Sequence, residues 1–246
     1  MRTWVVTSAV TFVPDNYEDL ILPLAHDPHI EGLLILDNRS PDIILKAVLL
    51  IVSLAGPRMG WQLLKNYFRS SSLRKKKYYE QAQKKVLIFK DINSTECLEA
   101  LRTIQPDLIL NARTRSFFRK DILALPRLGC INIHHGLLPD QRGLMCDLWA
   151  HLENTPAGFS IHVMTSKLDD GAILNTTEVP SDKKNYLASI QAAARLEAQA
   201  ASQVLAKINH AGKIEGQSNL KTEKTVYRRN PGIKDFYKLR LRGVKI

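Results

Sequence analysis

The chain has 246 residues, 45% of them hydrophobic, and it carries a formal net charge of +11. This length and apolar content suffice for one α/β domain with a small C-terminal extension, and they leave too little room for a second complete domain. The three cysteines lie far apart and form no C-x-x-C pair, which argues against a disulfide framework or a cysteine zinc site and indicates a reducing, cytoplasmic environment. The positive charge favours anionic partners such as nucleotide phosphates, RNA or an acidic membrane surface.

The beginning of the chain alternates between strand and helix patterns. Apolar runs predict buried strands at residues 4–8 and 32–36, and apolar residues at helical spacing predict a helix over 15–25 between them. The chain enters its first strand directly, so we expect no signal peptide. The order strand, helix, strand predicts the α/β class with a doubly wound, mostly parallel sheet.

Residues 42–84 have a different composition. An apolar run over 43–55 ends at Gly56 and Pro57, and a second segment begins at Trp61. The run is shorter than the about 20 residues that cross a bilayer. Cations accumulate before Glu80, namely Arg58, Lys65, Arg69, Arg74, Lys75, Lys76 and Lys77. Three interpretations stay open: core helices with a solvated basic flank, helices on an anionic membrane surface, and a clamp over an anionic acceptor.

The following segments extend the same sheet. Strands are predicted at 85–89 and 107–112, with a helix over 94–104 between them that Ser94 caps. Further along, the patterns predict a short helix at 145–152 and strands at 157–164 and 171–179. An amphipathic helix over 185–209 is expected to pack against the sheet.

The stretch 129–143 is where the sequence concentrates its chemistry. An alternating apolar run meets a polar triplet and then Gly136, a pattern typical of a buried strand that opens into a loop. Side chains two apart on a strand share a face, so Asn132 and His134 should point the same way. An amide beside an imidazole can hydrogen-bond an oxygen that gains negative charge. A carboxylate on the tight loop at 167–171 could favour the charged imidazole and relay protons through water.

Taken together, these motifs resemble the folate-dependent formyltransferases, which include the glycinamide ribonucleotide, methionyl-tRNA and sugar-nucleotide N-formyltransferases. The resemblance extends over residues 106–178. It is carried by motifs in the same order, namely Asn132 with His134, then 137–139, 142–143, 158–162 and 168–171. It implies a Rossmann-like formyltransferase fold over residues 1–210, with a helical insertion at about 42–84 and a basic C-terminal extension at 211–246.

The resemblance also implies a reaction, the transfer of a formyl group from 10-formyltetrahydrofolate to a primary amine without a metal. In that reaction Asn132 and His134 hold the oxyanion of the tetrahedral intermediate. Asp169 raises the pKa of His134 and takes the amine proton through water, with Asp170 as the alternative carboxylate. His162 either supports the carboxylate loop or is a satisfied core histidine.

The same resemblance implies ligand contacts at further positions. Folate-binding positions follow the ends of two strands and the central loop: Ala112, Arg113, Thr114, Leu138, Asp170 and Gly171. Arg113 and Arg115 are unusual for the family, and surface salt bridges are the alternative for them. Arg142 either meets an acceptor phosphate or covers the loop as a surface cation. His135 stands where relatives carry a small residue or proline, and we expect it to contact the acceptor. Gly136 stands where relatives usually carry serine.

The identity of the acceptor stays open at this point. Residues 8–14 lack the glycine-rich phosphate loop expected of a purine-pathway enzyme, which favours another small amine, such as a nucleotide-linked amino sugar. Methionyl-tRNA is the second candidate, because 126–132 resembles that branch and the tail from Lys221 mixes cations with aromatic residues. Methionyl-tRNA enzymes, however, carry a β-barrel domain for which the remaining residues are too few. The same residues would also suit a 10-formyltetrahydrofolate hydrolase, or a folate- or RNA-binding module without activity.

Location and assembly follow less directly from the sequence. We expect a cytoplasmic protein, and contact with an anionic membrane surface through 43–85 is one of the open interpretations. The sequence does not predict an oligomeric state.

Overall fold

A computed structural model of the chain describes residues 1–69 and 71–246. Its strands are β1 Thr3–Ser8, β2 Ile30–Leu36, β3 Lys85–Phe89, β4 Leu108–Asn111, β5 Cys130–His134, β6 Gln141–Gly143, β7 Gly158–Val163, β8 Ile173–Glu178 and β9 Val226–Arg228. Its helices are α1 Glu18–Leu24, α2 Pro41–Val52, α3 Pro57–Phe68, α4 Ser71–Gln81, α5 Thr95–Ile104, α6 Lys120–Ala124, α7 Cys146–Glu153, α8 Tyr186–Ala211 and α9 Ile233–Leu241.

Seven strands form one sheet in the order β3-β2-β1-β4-β5-β7-β8. The pairs from β3 to β5 are parallel, whereas β7 is antiparallel to both β5 and β8. The inner strands β1 and β4 are buried along their whole length, as expected for parallel strands that are covered on both faces. This architecture confirms the predicted α/β class with a mostly parallel, doubly wound sheet.

The position of β1 determines where a ligand can bind. The chain winds from β1 to β2 and β3 on one side and continues with β4 and β5 on the other. In open α/β sheets, ligands bind beyond the carboxyl ends of the strands near such a reversal. The strand β5, which ends at His134, lies two places from β1 on this side.

The N-terminal helix begins later than the sequence predicts. A 3-10 turn at Pro14–Tyr17 precedes α1, and Asp15, Asn16 and Tyr17 have φ values of 47°, 54° and 61°. The buried Asn16 side chain donates to the carbonyl of Ala9 and accepts from the Thr11 hydroxyl, which fixes this turn. Local side-chain hydrogen bonds of this kind compete with helix formation. The turn places the Tyr17 ring 6.1 Å from that of His135.

The region predicted as an insertion, residues 42–84, contains nearly all of α2 and the helices α3 and α4. A Cβ atom on Gly60 of α3 would lie 2.5 Å from the Ala47 carbonyl of α2, so this glycine permits the two helices to pack closely. Asn66 of α3 donates to the carbonyls of Thr11 and Val13 at 2.8 and 2.7 Å. The insertion is thus fastened to the turn that follows β1. Among the described residues, no helix is long and apolar enough to cross a membrane.

The tail folds back onto the core. The strand β9 pairs in parallel with β6, which places Tyr227 opposite Arg142. The indole N–H of Trp149 donates to the carbonyl of Arg229 at 3.0 Å, and the guanidinium groups of Arg228 and Arg229 lie over the Trp149 ring. The tail therefore contributes a strand and several side-chain contacts to the part of the fold that contains β6 and α7.

One buried charge of the insertion predicts a pH-dependent stability. The Lys75 ammonium on α4 is fully buried, and it has no hydrogen-bond partner among the described residues. Burial lowers the pKa of Lys75 from 10.5 to about 7, and Glu18 opposes this shift. Between these two values the unfolded chain binds more protons than the folded chain, so stability should rise with pH. We expect Lys75→Met to raise the free energy of unfolding at pH 7 by about 1–3 kcal/mol, measured by chemical denaturation.

The matched control is Lys77→Met, which removes an exposed cation from the same helix. It should change the stability by less than about 0.5 kcal/mol. The Lys75 variant should also lose most of the rise in stability between pH 7 and pH 10. If the Lys75→Met protein is no more stable than the wild type at pH 7, burial of the Lys75 ammonium without a hydrogen-bond partner does not lower the stability.

Candidate active site

Three polar side chains lie side by side across the carboxyl half of the sheet. Asn111 of β4 pairs in register with Asn132 of β5, and Asn132 pairs with His162 of β7. The Asn111 amide donates to Asn132 Oδ1 at 2.9 Å, and the Asn132 amide donates to His162 Nε2 at 3.1 Å. These contacts fix the orientation of Asn132 and use one of its two amide hydrogens. The other hydrogen is left for a ligand.

The carboxylate of Asp169 joins this row to His134. Asp169 Oδ1 lies 3.4 Å from His134 Nδ1 and 3.5 Å from His162 Nε2, while Oδ2 accepts the Gly143 N–H at 2.8 Å. Burial acts to raise the pKa of Asp169, but the contacts with His162, His134 and the Gly143 N–H outweigh burial and lower the pKa overall. Asp169 is therefore ionised at neutral pH, and its Oδ1 lies within 3.5 Å of a nitrogen of each imidazole.

His134 differs from its expected state. Burial lowers the pKa of His134 and outweighs the opposing effect of Asp169, so the imidazole is neutral at pH 7. Asp169 does raise this pKa, as the sequence predicts, but the cost of burying the charged ring is the larger effect and the net shift is downward. His134 Nε2 lies 2.7 Å from the Gln141 carbonyl oxygen, so both ring nitrogens face oxygen acceptors. A proton gained by the ring would thus meet an acceptor on each side.

The geometry of His134 also bears on which side chain can donate a hydrogen bond to an oxyanion. Both nitrogens of His134 are directed at protein oxygens, and donation to a substrate oxygen would require the Gln141 contact to break. Asn132 retains an amide hydrogen without that requirement. Of the two expected donors, Asn132 is therefore the one that could donate to a substrate oxygen without breaking a contact between described residues.

Arg142 lies where neither of its expected roles applies. Its side chain is fully buried rather than exposed as a surface cation. Its guanidinium donates to the carbonyls of Pro139, Asp169 and Asn219, and it forms an ion pair with Asp170 at 3.0 Å. The donors that an acceptor phosphate would need are already used. Arg142 instead ties the loop that carries Asp169 to the tail.

A second buried cluster lies behind β5. His135 Nδ1 is 3.1 Å from Asp147 Oδ2, and His135 Nε2 is 3.3 Å from Glu197 Oε1. Arg113 also forms an ion pair with Glu197, and Tyr186 donates its hydroxyl to Asp147 at 3.1 Å. Burial raises the pKa of Glu197 and of Asp147, and Arg113 opposes both shifts. The salt bridge that was the alternative for Arg113 is therefore buried and not on the surface. The contact of His135 with an acceptor stays a prediction.

The two carboxylates of this cluster were not predicted from the sequence. A signal existed for Glu197, which interrupts a helical face of α8 made of Ala193, Ala194, Ala200 and Ala201. An acid on an alanine face that packs against a sheet needs a buried partner. Asp147 had no comparable signal, because an acid in the first turn of a short helix such as α7 is ordinary.

The remaining predicted folate positions surround the row of polar side chains. The Thr114 N–H donates to Asn111 Oδ1 at 3.3 Å, and Ala112 is buried beside it. The Leu138 N–H donates to the Ser160 hydroxyl at 3.0 Å. Gly171 follows the Asp169 loop, and a Cβ atom there would lie 2.1 Å from the Val163 carbonyl. The structure thus places these positions around the strand ends, while their contact with folate stays a prediction.

Gly136 explains one departure from the family pattern. A Cβ atom at this position would lie 2.6 Å from His134 Nε2 and 2.5 Å from the Gln141 carbonyl oxygen. A serine, the residue that the family pattern has at this position, could not coexist with His134 in this orientation. The glycine and the contact between His134 and Gln141 therefore belong together.

Two distinct cavities of the fold lie away from this cluster. One of about 480 Å³ opens between Arg2 and Arg127, at the opposite edge of the sheet. Another of about 200 Å³ lies beside Asp37 and Phe68 and includes neither Asn132 nor Asp169. The candidate site is therefore identified by the polar side chains at the strand ends, since neither of these two cavities includes them. No group of three potential metal ligands is found among the described residues.

The doubly wound sheet and the polar side chains at its strand ends place the chain among α/β proteins with a ligand crevice at the carboxyl edge. Residues 65–206, more than half of the chain, match the family model described as formyl transferase. The chain belongs to the formyl transferase family.

Curated relatives align with part of the chain. The bifunctional polymyxin resistance protein ArnA of Wigglesworthia glossinidia brevipalpis is 32% identical over 123 residues, which cover 49% of this chain and 18% of that protein. The methionyl-tRNA formyltransferase of Thermotoga maritima is 41% identical over 93 residues, which cover 37% of this chain and 29% of that protein. The alignments thus span less than a third of the length of these relatives.

Solved structures resemble the fold over nearly its whole length. A sugar N-formyltransferase from a Shewanella species superposes with a TM-score of 0.59 at 17% identity, covering 97% of this chain and 86% of that one. Glycinamide ribonucleotide transformylase 1 from Symbiobacterium toebii gives a TM-score of 0.60 at 18% identity, covering 89% and 92%. At these identities the likeness supports the fold and does not distinguish between acceptors.

Proposed function

We propose that this protein transfers a formyl group from 10-formyltetrahydrofolate to a primary amine, and that Asn132, His134 and Asp169 perform the reaction. The observation that supports this proposal is the convergence of an amide, a neutral imidazole and an ionised carboxylate at the end of β5. Membership of the formyl transferase family supplies the reaction class.

Each group has a step in this mechanism. The amine nitrogen attacks the formyl carbon, a C–N bond forms, and the carbonyl oxygen becomes an oxyanion that accepts the second amide hydrogen of Asn132. The amine proton passes through water to the pair formed by His134 and Asp169. The pair gives this proton to N10 of the folate as the bond between N10 and the formyl carbon breaks. The products are a formamide and tetrahydrofolate.

The neutral state of His134 suits this proton transfer. A general base must be unprotonated when the amine attacks, and burial keeps the imidazole in that form. Once protonated, the ring lies between Asp169 and the Gln141 carbonyl, which stabilise the cation. In this mechanism the oxyanion has Asn132 as its partner, and the protonated His134 has Asp169 and the Gln141 carbonyl.

We assign the folate to the strand ends around the row of polar side chains. Its contacts in this proposal are Ala112, Arg113, Thr114, Leu138, Asp170 and Gly171. Arg113 contacts it through the backbone, because its guanidinium is engaged with Glu197. His162 supports Asp169 and Asn132 from the neighbouring strand.

The acceptor that we favour is a small amine such as a nucleotide-linked amino sugar. The aromatic rings beside the tail's cations could stack on RNA bases only if the ring faces were free. Instead, Arg142 and Lys221 lie over the Tyr227 ring, and Arg228 and Arg229 lie over Trp149. Methionyl-tRNA stays the second candidate because of the 41% identity with its formyltransferase over 93 residues.

The test is a formylation screen with the purified full chain. Aminated nucleotide sugars, glycinamide ribonucleotide and charged initiator tRNA are each offered with 10-formyltetrahydrofolate, while tetrahydrofolate release and product mass are measured. We expect a formamide from an amino sugar nucleotide. If only the tRNA is formylated, the acceptor is methionyl-tRNA and not an amino sugar. If 10-formyltetrahydrofolate is consumed equally fast without any amine, the protein is a hydrolase. Folate binding with no turnover under any condition would overturn the enzymatic proposal.

Asn111 offers a test of how the site is held together. Its amide donates to Asn132 Oδ1 and so fixes which way the catalytic amide points. We expect Asn111→Ala to lower kcat about tenfold, the effect of one lost hydrogen bond, with little change in the KM for folate. Steady-state kinetics of tetrahydrofolate release measures both constants.

The isosteric variant separates positioning from packing. In Asn111→Asp the side chain keeps its shape, but the carboxylate cannot donate to Asn132 Oδ1. It should lower kcat at least as much as the alanine variant. Wild-type kcat in the aspartate variant would show that Asn111 only fills space.

A further inference from the structure

We propose that α2 and α9 together form a surface that docks on an anionic lipid bilayer. The apolar part of this surface, called here the α2–α9 face, consists of exposed side chains on the two helices and on the turn after α2: Leu45, Val48, Leu49, Val52, Leu54, Tyr237 and Leu241. The proposal concerns a partner of the protein and does not depend on the formyl transfer proposed above.

The sequence of α2 places its apolar residues on two faces. Ile43 and Ala47 are buried against the fold, whereas Leu45, Leu49 and Val52 point outward along one helical stripe. The exposed fraction of Val52 reaches 74%. An apolar stripe of this kind costs free energy in water, and such patches mark interaction sites.

The helix α9 adds a second stripe at the same place. Tyr237 and Leu241 are one helical turn apart and exposed, with Leu241 at 87%. The Tyr237 hydroxyl donates to the carbonyl of Ser53, and Arg240 donates to the carbonyl of Leu54. These bonds hold α9 against the turn that follows α2, so the two stripes are joined into one surface.

The charged residues of this region select the partner. Its exposed cations are Lys46, Arg58, Lys234, Lys238, Arg240 and Arg242. On α2 and α9 the acids are Asp42, at the first turn of α2, and Asp235, which is buried and paired with Arg229. An apolar face with a cationic surround matches the acyl chains and anionic headgroups of a membrane interface.

Two other partners fit this surface less well. In a symmetric dimer the same patch faces itself, so the cations of one copy would lie against those of the other. A nucleic acid would use the cations, but Tyr237 is the one aromatic side chain of the α2–α9 face, so the face offers bases little stacking surface. A bilayer uses both the aliphatic stripe and the cations.

The experiment is flotation of the full chain with vesicles, with no substrate present. The vesicles contain phosphatidylcholine alone, or phosphatidylcholine with about one-third phosphatidylglycerol. We expect binding to the anionic vesicles at low salt, weakening as salt rises. No binding to them at low salt would overturn the proposal, as would equal binding to both vesicle types.

Paired variants locate the surface. Leu49→Gln with Val52→Gln should weaken binding by about tenfold or more, and Lys238→Gln with Arg242→Gln should weaken it several-fold and reduce its salt dependence. The controls are Leu220→Gln, an equally exposed apolar side chain elsewhere, and Lys120→Gln with Lys207→Gln. All positions are exposed, and unchanged melting temperatures check that the variants fold.

Two results from these variants would contradict the proposal. One is a loss of binding in the control variants equal to that in the face variants. The other is a dimer in sedimentation velocity that the Leu49 and Val52 changes dissociate, because it would assign the face to a second copy of the chain.

Discussion

Replacing Asp169 with asparagine should lower kcat by about 10²–10⁴-fold, the range typical of a lost acid or base. The carboxylate contacts both His134 and His162 and accepts the Gly143 N–H. An asparagine keeps the size of the side chain but neither carries the charge that stabilises a protonated His134 nor accepts a proton at neutral pH. The expected loss therefore lies in the chemical step, and the KM values for folate and amine should change little.

Asp170→Asn is the matched control, since Asp170 is the adjacent carboxylate on the same loop. Asp170 pairs with Arg142 and has no described contact with either histidine. Its variant should keep kcat within about tenfold of wild type. Because Asp170 is among the proposed folate contacts, any loss should appear in the KM for folate. If the Asp170 variant loses the activity and the Asp169 variant retains it, the two carboxylates must exchange roles. Single-turnover rates would confirm that the affected step is formyl transfer.

Replacing Asn132 with alanine should lower kcat by about 10²–10³-fold, the typical cost of removing one oxyanion donor. The Asn132 amide is held by Asn111 on one side and His162 on the other, so the donor does not need to reorganise during the reaction. The interaction with the oxygen strengthens as the oxygen gains charge, which is why the loss should appear in kcat.

A strand asparagine outside the cluster provides the comparison. Asn175 of β8 accepts from the Thr177 hydroxyl, and Asn175→Ala should leave kcat within about threefold of wild type. Melting temperatures of both variants separate catalysis from stability. An Asn132→Ala enzyme that turns over formyl-folate at the wild-type rate would remove the amide from the mechanism.

The sequence predicted those parts of the site that depend on local geometry. Two residues apart on a strand must share a face, which was enough to pair Asn132 with His134. The tight loop after the next strand indicated a carboxylate near them, and the resemblance to the formyltransferase family selected Asp169 over Asp170. The structure places the three side chains in one cluster.

Contacts between distant parts of the chain could not be predicted in this way. The buried role of Arg142 depends on Asn219, which is 77 residues further along the chain. The pairing of His135 with Glu197 depends on the rotation of α8 against the sheet. A charge pattern shows that a cation is present, but not whether a carbonyl from elsewhere will meet it in the interior. The net lowering of the His134 pKa could not be predicted for the same reason, because the effect that outweighs Asp169 depends on how deeply the ring is buried.

Contacts with the tail determine when the loop that carries Asp169 can fold completely. Arg142 is fully buried, and it donates to both the carbonyl and the side chain of Asn219, whose own amide holds the carbonyls of Asp169 and Gly171. During synthesis, the guanidinium lacks these partners until residue 219 has left the ribosome. The loop that bears Asp169 should therefore reach its final form only after residue 219 has been synthesised. A fragment that stops at residue 210 would retain every strand of the main sheet and still leave this cation without its two acceptors on Asn219.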